Sequence, residues 1–217
     1  MANVVLVRHG QASFGADDYD KLSPLGHQQA AWLGEYFLSH DMRFDRVVRG
    51  GLRRHRETAN GICGAMGIHQ IDEDTRFDEF HYDPLQTEYI RATGVDAPTS
   101  RDAFLEIFPD IFTRWELGQL KGSGETYAAF RARVDAALDA ALSEGTPTLI
   151  VTSGGVIGAV MRRVLDLSAR KAADLTLNIH NASVHSLNVE NGALRLSVFN
   201  ASPHLDPKGR EHARTYV

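Results

Sequence analysis

The sequence predicts an α/β fold: a three-layer sandwich with a mostly parallel central sheet, helices on both faces and an antiparallel C-terminal hairpin. Two continuous β-branched, apolar runs, at residues 4–7 and 148–152, are typical of strands buried on both faces of a sheet. Each run leads through a short polar loop towards a helical pattern. Near the C-terminus, two β-rich runs flank Asn191-Gly192, a strong hairpin signal. Strands that alternate with helices in this way favour a parallel sheet covered by helices.

The individual elements follow from local patterns. Ser23 and Pro24 supply an N-cap and a first-turn proline, and apolar residues then recur at helical spacing. The same reasoning predicts helices over residues 24–39, from about 51 to 64–67, near 85–93 and 101–117, over 130–141 and over 156–165. Strands are predicted at residues 4–7, 47–48, 148–152, 184–189 and 194–198.

Size and composition are those of one globular domain. The 217 residues are 43% hydrophobic and 24% charged, and we expect a single domain over residues 1–217. Residues 76–122 are less regular, with aromatic and acidic residues and three prolines, and we interpret them as a lid or insertion. This segment would set substrate choice. Its aromatic residues could line an apolar pocket, although core packing is the simpler interpretation.

Charge and hydropathy exclude several classes of protein. The net charge of -5 includes no long run of one sign, which argues against a nucleic-acid partner. No stretch is long enough to span a membrane, and no export segment precedes Arg8, so we expect a cytoplasmic protein. Cys63 is the single cysteine, which excludes an internal disulfide and a cysteine-cluster zinc site.

Candidate chemistry lies where the two buried strands end. Open α/β sheets bind ligands beyond the carboxyl ends of their strands, and here these ends carry Arg8-His9-Gly10 and Ser153-Gly154. Neutral imidazole is a good nucleophile near pH 7, so His9 is suited to accept a phosphoryl group. The guanidinium of Arg8 can hold two phosphate oxygens, and Gly10 permits close approach of the backbone. These residues predict a phosphate site.

Further motifs occur in a consistent order along the chain. They are Leu22-Ser23-x-x-Gly26-x-x-Gln29-Ala30, Asp45-x-Val47, Leu52-x-Arg54-x-x-x-Thr58-Ala59, the run from Arg76 to Tyr82, Gly124-Glu125-Thr126, and Asn200-x-x-x-His204-Leu205. Together with Arg8-His9-Gly10, this order resembles the histidine phosphatase superfamily, the phosphoglycerate mutase-like proteins. The resemblance covers nearly the whole chain.

The resemblance implies a reaction and a set of roles. His9 would form a phosphohistidine, Arg54 would be the second phosphate-binding arginine, and Glu79 would donate a proton to the leaving group. Two arginines can neutralise the transferred phosphoryl group, so neither a metal nor another cofactor is predicted. The implied function is that of a metal-independent phosphomonoesterase. A phosphorylated small molecule and a phosphoprotein are both open as substrates, and no oligomeric state is predicted.

One position departs from the family pattern. Members normally carry a second histidine before the late Gly-Gly, where this chain has Ser153. Ser153 and Gly154 can still contact phosphate, since helix N-termini offer backbone N–H groups to anions. Three residues could compensate for the missing histidine: His180, His81 and Arg49. The alternative function is therefore a catalytically weak phospho-ligand-binding or regulatory protein.

A mutase is a less favoured alternative. Ala12 and Gly15 stand where mutase-like members often have a hydroxyl residue and an asparagine near the phosphate. A mutase must hold a bisphosphorylated intermediate through polar contacts, whereas a phosphatase has only to admit water. The sequence therefore favours hydrolysis.

Overall fold

The computed structural model describes residues 3–13 and 20–216. Its strands are β1 (Asn3–Arg8), β2 (Arg46–Arg49), β3 (Asp72–Glu73), β4 (Thr148–Thr152), β5 (Val184–Glu190) and β6 (Ala193–Ala201). They form a six-stranded sheet in the order β3-β2-β4-β1-β5-β6. The first four strands of this order are parallel, and β5 and β6 are antiparallel. The predicted mostly parallel sheet with an antiparallel C-terminal hairpin is confirmed.

Within the described residues the helices are α1 (Pro24–Ser39), α2 (Arg53–Met66), α3 (Tyr82–Thr93), α4 (Arg101–Glu116), α5 (Tyr127–Ser143), α6 (Gly154–Leu165) and α7 (Ala169–Thr176). The hydroxyl of Ser23 accepts a hydrogen bond from the N–H of Gly26 at 3.0 Å, so α1 begins at the predicted cap. Helix α3 begins three residues before its predicted start, since Tyr82 and Asp83 form its first turn. Helix α7 and strand β3 were not predicted, because eight and two residues are too short to show a clear period.

The two faces of the sheet are covered by different helices. Alternate side chains of β1 point to opposite faces, as the pleat of a strand requires. Val4 and Leu6 belong to one buried cluster with side chains of α5 and α6. Val5 and Val7 belong to a second cluster with side chains of α1 and α2. The three-layer sandwich is thus confirmed. The hairpin turn also has the predicted form, with Asn191 and Gly192 at φ values of 52° and 75°.

Residues 76–122 contain α3 and α4 and pack closely on the rest of the molecule. Between ring centroids, Phe80 lies 5.4 Å and Trp115 lies 5.6 Å from Phe130 of α5, and all three rings are buried. These aromatic residues therefore belong to the core, the simpler of the two interpretations. A lid function for this segment stays a prediction. No helix in the described parts of the chain combines the length and apolar character needed to cross a membrane.

Candidate active site

His9 follows β1 directly at the carboxyl edge of the parallel strands. Arg8 and Thr152 are register partners at the ends of β1 and β4, so His9 and Ser153 leave the sheet side by side. The N–H of His9 donates to the carbonyl of Thr152 at 2.8 Å, and the residue is only 6% exposed. Its Nδ1 lies 2.7 Å from the carbonyl oxygen of Gly10. Because a carbonyl only accepts, Nδ1 carries the proton and the lone pair is on Nε2.

The surroundings of His9 favour its neutral form. Burial lowers its pKa well below the ordinary value, and the positive charges of Arg54 and Arg8 lower that pKa further. The hydrogen bond to Gly10 offsets only part of this effect. His9 is therefore a neutral imidazole with Nε2 available as a nucleophile over a wide pH range.

Two arginines reach this site from different elements. The guanidinium of Arg8 donates to the carbonyl of Ile179 and lies beside Gly154, where a Cβ would be 3.7 Å from its Nε. Arg54, in the first turn of α2, forms an ion pair with Asp20 at 2.6 Å between Nη1 and Oδ1. Both arginines are close enough to His9 to lower its pKa. The site thus holds two cations suited to an anionic group.

Glu79 lies at the N-terminus of α6. Its carboxylate oxygens accept hydrogen bonds from the N–H groups of Gly155 at 2.9 Å and Phe80 at 3.2 Å. A Cβ at Gly155 would lie 2.3 Å from Oε1 of Glu79, so only glycine permits this approach. Burial raises the pKa of Glu79, while the Gly155 N–H and the two arginines offset part of that rise. Such a carboxyl group is suited to hold and donate a proton.

The chain that leads to Glu79 is fixed from two sides. Nη1 of Arg133 donates at 2.7 Å to the carbonyl oxygen of the residue before Glu79. Arg133 is held in turn by Glu125, with 2.8 Å between Nη2 and Oε1. On the sheet side, the hydroxyl of Thr152 donates to the carbonyl of Phe77 at 2.6 Å. Arg133 is a supporting residue that the sequence analysis missed, although Glu125 belongs to one of its motifs.

Gly10 packs against α1 and α2. Its N–H donates to the hydroxyl of Thr58 at 3.0 Å. A Cβ at this position would lie 2.5 Å from the carbonyl oxygen of Gly26 in α1. Because Gly10 has no side chain, the loop after β1 can pack on α1. This packing requires glycine at position 10.

The loop after β1 is also tied to the C-terminal segment. The side chain of Gln29 is buried, and its Oε1 accepts from the N–H of Gln11 at 2.8 Å. Its Nε2 donates to the carbonyl of Ala213 at 2.7 Å. Ala12 forms an isolated bridge with Leu22. Gly15, the other position weighed against a mutase, lies outside the described residues.

A second histidine lies in the site, and the sequence analysis missed it. Nε2 of His55 is 2.6 Å from the hydroxyl oxygen of Ser153, and both side chains are fully buried. The rings of His55 and His9 are 5.9 Å apart between centroids and tilted by 40°. Nδ1 of His55 lies 3.6 Å from Oδ1 of Asp78. Thus the serine that stands in place of the expected histidine touches a histidine from another element.

The electrostatics of His55 and Asp78 are coupled. Burial lowers the pKa of His55, and the Asp78 carboxylate raises it in opposition. For Asp78, burial alone would raise the pKa, but His55 and the amides of Gly51 and Leu52 bring it below its ordinary value. The carboxylate is therefore ionised and faces the imidazole.

The three residues predicted as possible replacements for the missing second histidine have other surroundings. The ring of His180 stacks on Tyr216 at 5.7 Å between centroids. Arg49 forms an ion pair with Glu73 at 2.8 Å between Nη2 and Oε2. His81 occupies the N-cap position of α3 and is exposed.

A sequence signal for His55 did exist. His55 precedes Thr58 and Ala59 by three and four residues, so all three lie on one face of α2. That face is buried, and Thr58 and Ala59 belong to a motif of the resemblance. Helical spacing alone therefore places this histidine on the buried face of the helix that carries Arg54.

These features agree with a comparison with protein families. The family model described as the histidine phosphatase superfamily (branch 1) matches residues 4–202. The chain belongs to this superfamily. The predicted family is thus confirmed over nearly the whole chain.

Individual proteins of known name are similar to this chain over most of its length. The chain is 27% identical to the Arabidopsis thaliana phosphoglycerate mutase-like protein 4, over 96% of this chain and 89% of that protein. It is 26% identical to an Arabidopsis thaliana metal-independent phosphoserine phosphatase, over 82% and 76% of the two chains. The structure of a mycobacterial glucosyl-3-phosphoglycerate phosphatase superposes with a TM-score of 0.69 at 26% identity, covering 93% of this chain and all of that one.

Proposed function

We propose that this protein is a metal-independent phosphomonoesterase that acts through a phosphohistidine. Nε2 of His9 attacks phosphorus, and the bond from phosphorus to the ester oxygen breaks. Glu79 gives its proton to the departing alkoxide, so the alcohol leaves neutral. Water then attacks phosphorus and gives a proton to Glu79 as the bond from phosphorus to Nε2 breaks, which releases phosphate and regenerates neutral His9. The observation that carries this proposal is the neutral His9, with Nδ1 bound to the Gly10 carbonyl and Nε2 unprotonated.

The arginines and Glu79 suit the charges of this reaction. Phosphoryl transfer passes through a loose transition state, whose equatorial oxygens must be neutralised. Arg8 and Arg54 can supply two guanidinium forks for these oxygens. The raised pKa of buried Glu79 keeps a proton available for the leaving oxygen.

The substrate class we propose is a small phosphorylated molecule. Two relatives support it by name, one a phosphoserine phosphatase and the other a glucosyl-3-phosphoglycerate phosphatase. Phosphate release from phosphoserine, 3-phosphoglycerate, a sugar phosphate and a phosphoserine peptide would test this choice. Faster turnover of the peptide than of every small ester would contradict it.

The reaction itself is tested by mixing the protein with a labelled phosphate ester and quenching the mixture after a short time. Phosphate release together with an acid-labile phosphoryl group on His9 is the expected result, and His9→Ala should remove both. Isomerised ester without free phosphate would indicate a mutase. Binding of phosphate without any phosphohistidine would indicate the alternative, a phospho-ligand-binding or regulatory protein.

A further inference from the structure

We infer that His55 takes the part of the second histidine in this site, acting on the phosphoryl group through the hydroxyl of Ser153. The inference rests on the proposed phosphatase function and extends it to a positioning residue. The histidine is delivered from α2 instead of the loop after β4. Ser153 then becomes the group through which His55 acts, and its presence no longer implies a weakened site.

The His55–Ser153 pair lies close to His9. Ser153 and His9 follow neighbouring parallel strands, and the ring of His55 lies 5.9 Å from that of His9 between centroids. The 2.6 Å contact of His55 Nε2 with the Ser153 hydroxyl is short and wholly buried. A phosphoryl group carried on His9 would therefore be within reach of this His55–Ser153 pair.

The hydrogen bond between His55 and Ser153 orients the serine hydroxyl. When Nε2 of His55 carries a proton, it donates to Ser153 Oγ, and the serine hydrogen is then free to point elsewhere. A phosphoryl oxygen beside His9 is an acceptor for that hydrogen. In this arrangement the imidazole fixes the hydroxyl as a donor, and a preorganised donor of this kind stabilises a transition state.

The charges around His55 favour its protonation when phosphate binds. Nδ1 of His55 is buried and, among the described residues, has no hydrogen-bond partner, but it faces the Asp78 carboxylate at 3.6 Å. The ionisable groups that act on His55 are Asp78, Arg54, Asp20 and His9. An arriving phosphate dianion adds negative charge on the other side of the ring. Phosphate binding therefore favours protonation of His55. The neutral imidazole becomes a cation, which adds a positive charge to the site.

Four variants test the inference in the full-length protein. His55→Ala removes the ring, and His55→Gln keeps a donor near the position of Nε2 but cannot take up a proton. The double variant His55→Ala/Ser153→His moves the imidazole to the loop after β4. His185→Asn is the matched control, because His185 is also buried and bonded to a serine, Ser183. Circular dichroism and thermal midpoints establish folding, and kcat and KM are measured for phosphoserine across pH 4–9.

We expect His55→Ala to lower kcat by about 10²-fold, the effect of losing one transition-state donor, with a smaller change in KM. His55→Gln should recover part of kcat and alter the pH profile. The double variant should exceed His55→Ala by about tenfold or more, and the control should stay within about threefold of wild type. Inorganic phosphate should also bind less tightly to His55→Gln than to wild type.

Wild-type kcat and pH profile in the folded His55→Gln variant would overturn the inference, as would a double variant no faster than His55→Ala. Phosphate trapped on Ser153 instead of His9 would overturn it by making the serine a nucleophile. His9→Ala separates this failure from failure of the proposed function. If His9→Ala still hydrolyses phosphoserine at the wild-type rate, the proposed phosphohistidine reaction on His9 fails. If it is inactive while the His55 variants equal wild type, only the role of His55 fails.

Discussion

Two buried histidine–serine pairs in this protein have similar chemistry and different surroundings. His55 contacts Ser153 at 2.6 Å, and His185 contacts Ser183 at 3.0 Å, each through Nε2. All four side chains are fully buried. Both pairs lie at the same edge of the sheet, since Ser153 follows β4 and the antiparallel β5 begins beside the end of β1, where Val184 is the register partner of Val7.

The other ring nitrogen makes the difference. Nδ1 of His185 accepts the N–H of Asn200 at 3.2 Å, so Nε2 must carry the proton that is donated to Ser183. Burial, reinforced by Arg8, lowers the pKa of His185 to about 3. Its ring cannot gain a proton without losing the bond to Asn200, and we interpret the pair as structural.

His55 has a carboxylate where His185 has a donor. Asp78 opposes the effect of burial on the pKa of His55 and faces a nitrogen that can take up a proton. Burial lowers the pKa of both rings, so burial does not distinguish the two pairs. The neighbouring Asp78 carboxylate is what gives the first pair its proposed chemistry.

The strongest test of the comparison removes the group that the first pair is proposed to serve. We expect His9→Ala to lower kcat by about 10⁴-fold or more, since loss of a nucleophile removes the covalent step. Steady-state phosphate release measures this, with a thermal melt as the folding control. Turnover close to that of wild type would exclude the phosphohistidine on His9 that the His55–Ser153 pair is proposed to contact.

The next largest effect concerns Glu79 and pH. The lowered pKa of His9 places the rise of kcat/KM with pH well below 6.5, and the raised pKa of Glu79 places the fall above 4.5. We expect a bell-shaped profile whose ascending limb belongs to His9 and whose descending limb belongs to Glu79. Glu79→Gln should lower kcat by about 10²–10³-fold and remove the descending limb.

Leaving-group dependence checks this assignment. The p-nitrophenolate leaving group needs little protonation. The activity of Glu79→Gln should therefore fall less on p-nitrophenyl phosphate than on phosphoserine. Equal losses on the two substrates, or an unchanged descending limb, would remove Glu79 as the proton donor. The acid would then have to be sought among the other groups near His9, His55 included.

A smaller effect is expected at Arg133, which holds the segment that carries both Asp78 and Glu79. Arg133→Met should lower kcat by about tenfold, because a slight displacement of a catalytic group is costly. Arg114→Met is a suitable control, since Arg114 pairs with Asp110 within α4. Equal kinetics for the two variants would show that the support from Arg133 is dispensable.

The smallest effect on catalysis is expected at His185. His185→Asn should leave kcat within about threefold of wild type but cost about 1–3 kcal/mol in the free energy of unfolding, because Ser183 loses its buried partner. The folded-state pKa of about 3 lies below the ordinary 6.5. His185 therefore opposes folding as pH falls below 6.5, and this variant should show a weaker acid destabilisation. Urea unfolding at pH 7 and pH 5 measures both quantities.

The sequence by itself determined the layers of the fold and one part of the site. Strand and helix patterns are local, and so were the motifs around Arg8, His9, Arg54 and Glu79. The helix predicted over residues 24–39 and the strand over residues 148–152 match α1 and β4 at both ends. Such features depend on neighbouring residues and on the period of buried positions, which a single sequence displays.

Only the tertiary structure decided how the site accommodates Ser153. Helical spacing puts His55 on the buried face of α2, but its partner is 98 residues away, after another strand. Which loop meets that face depends on strand order, since β2 pairs with β4 and so brings the start of α2 beside Ser153. Contacts of this kind are set by packing between elements and leave no periodic trace in the sequence.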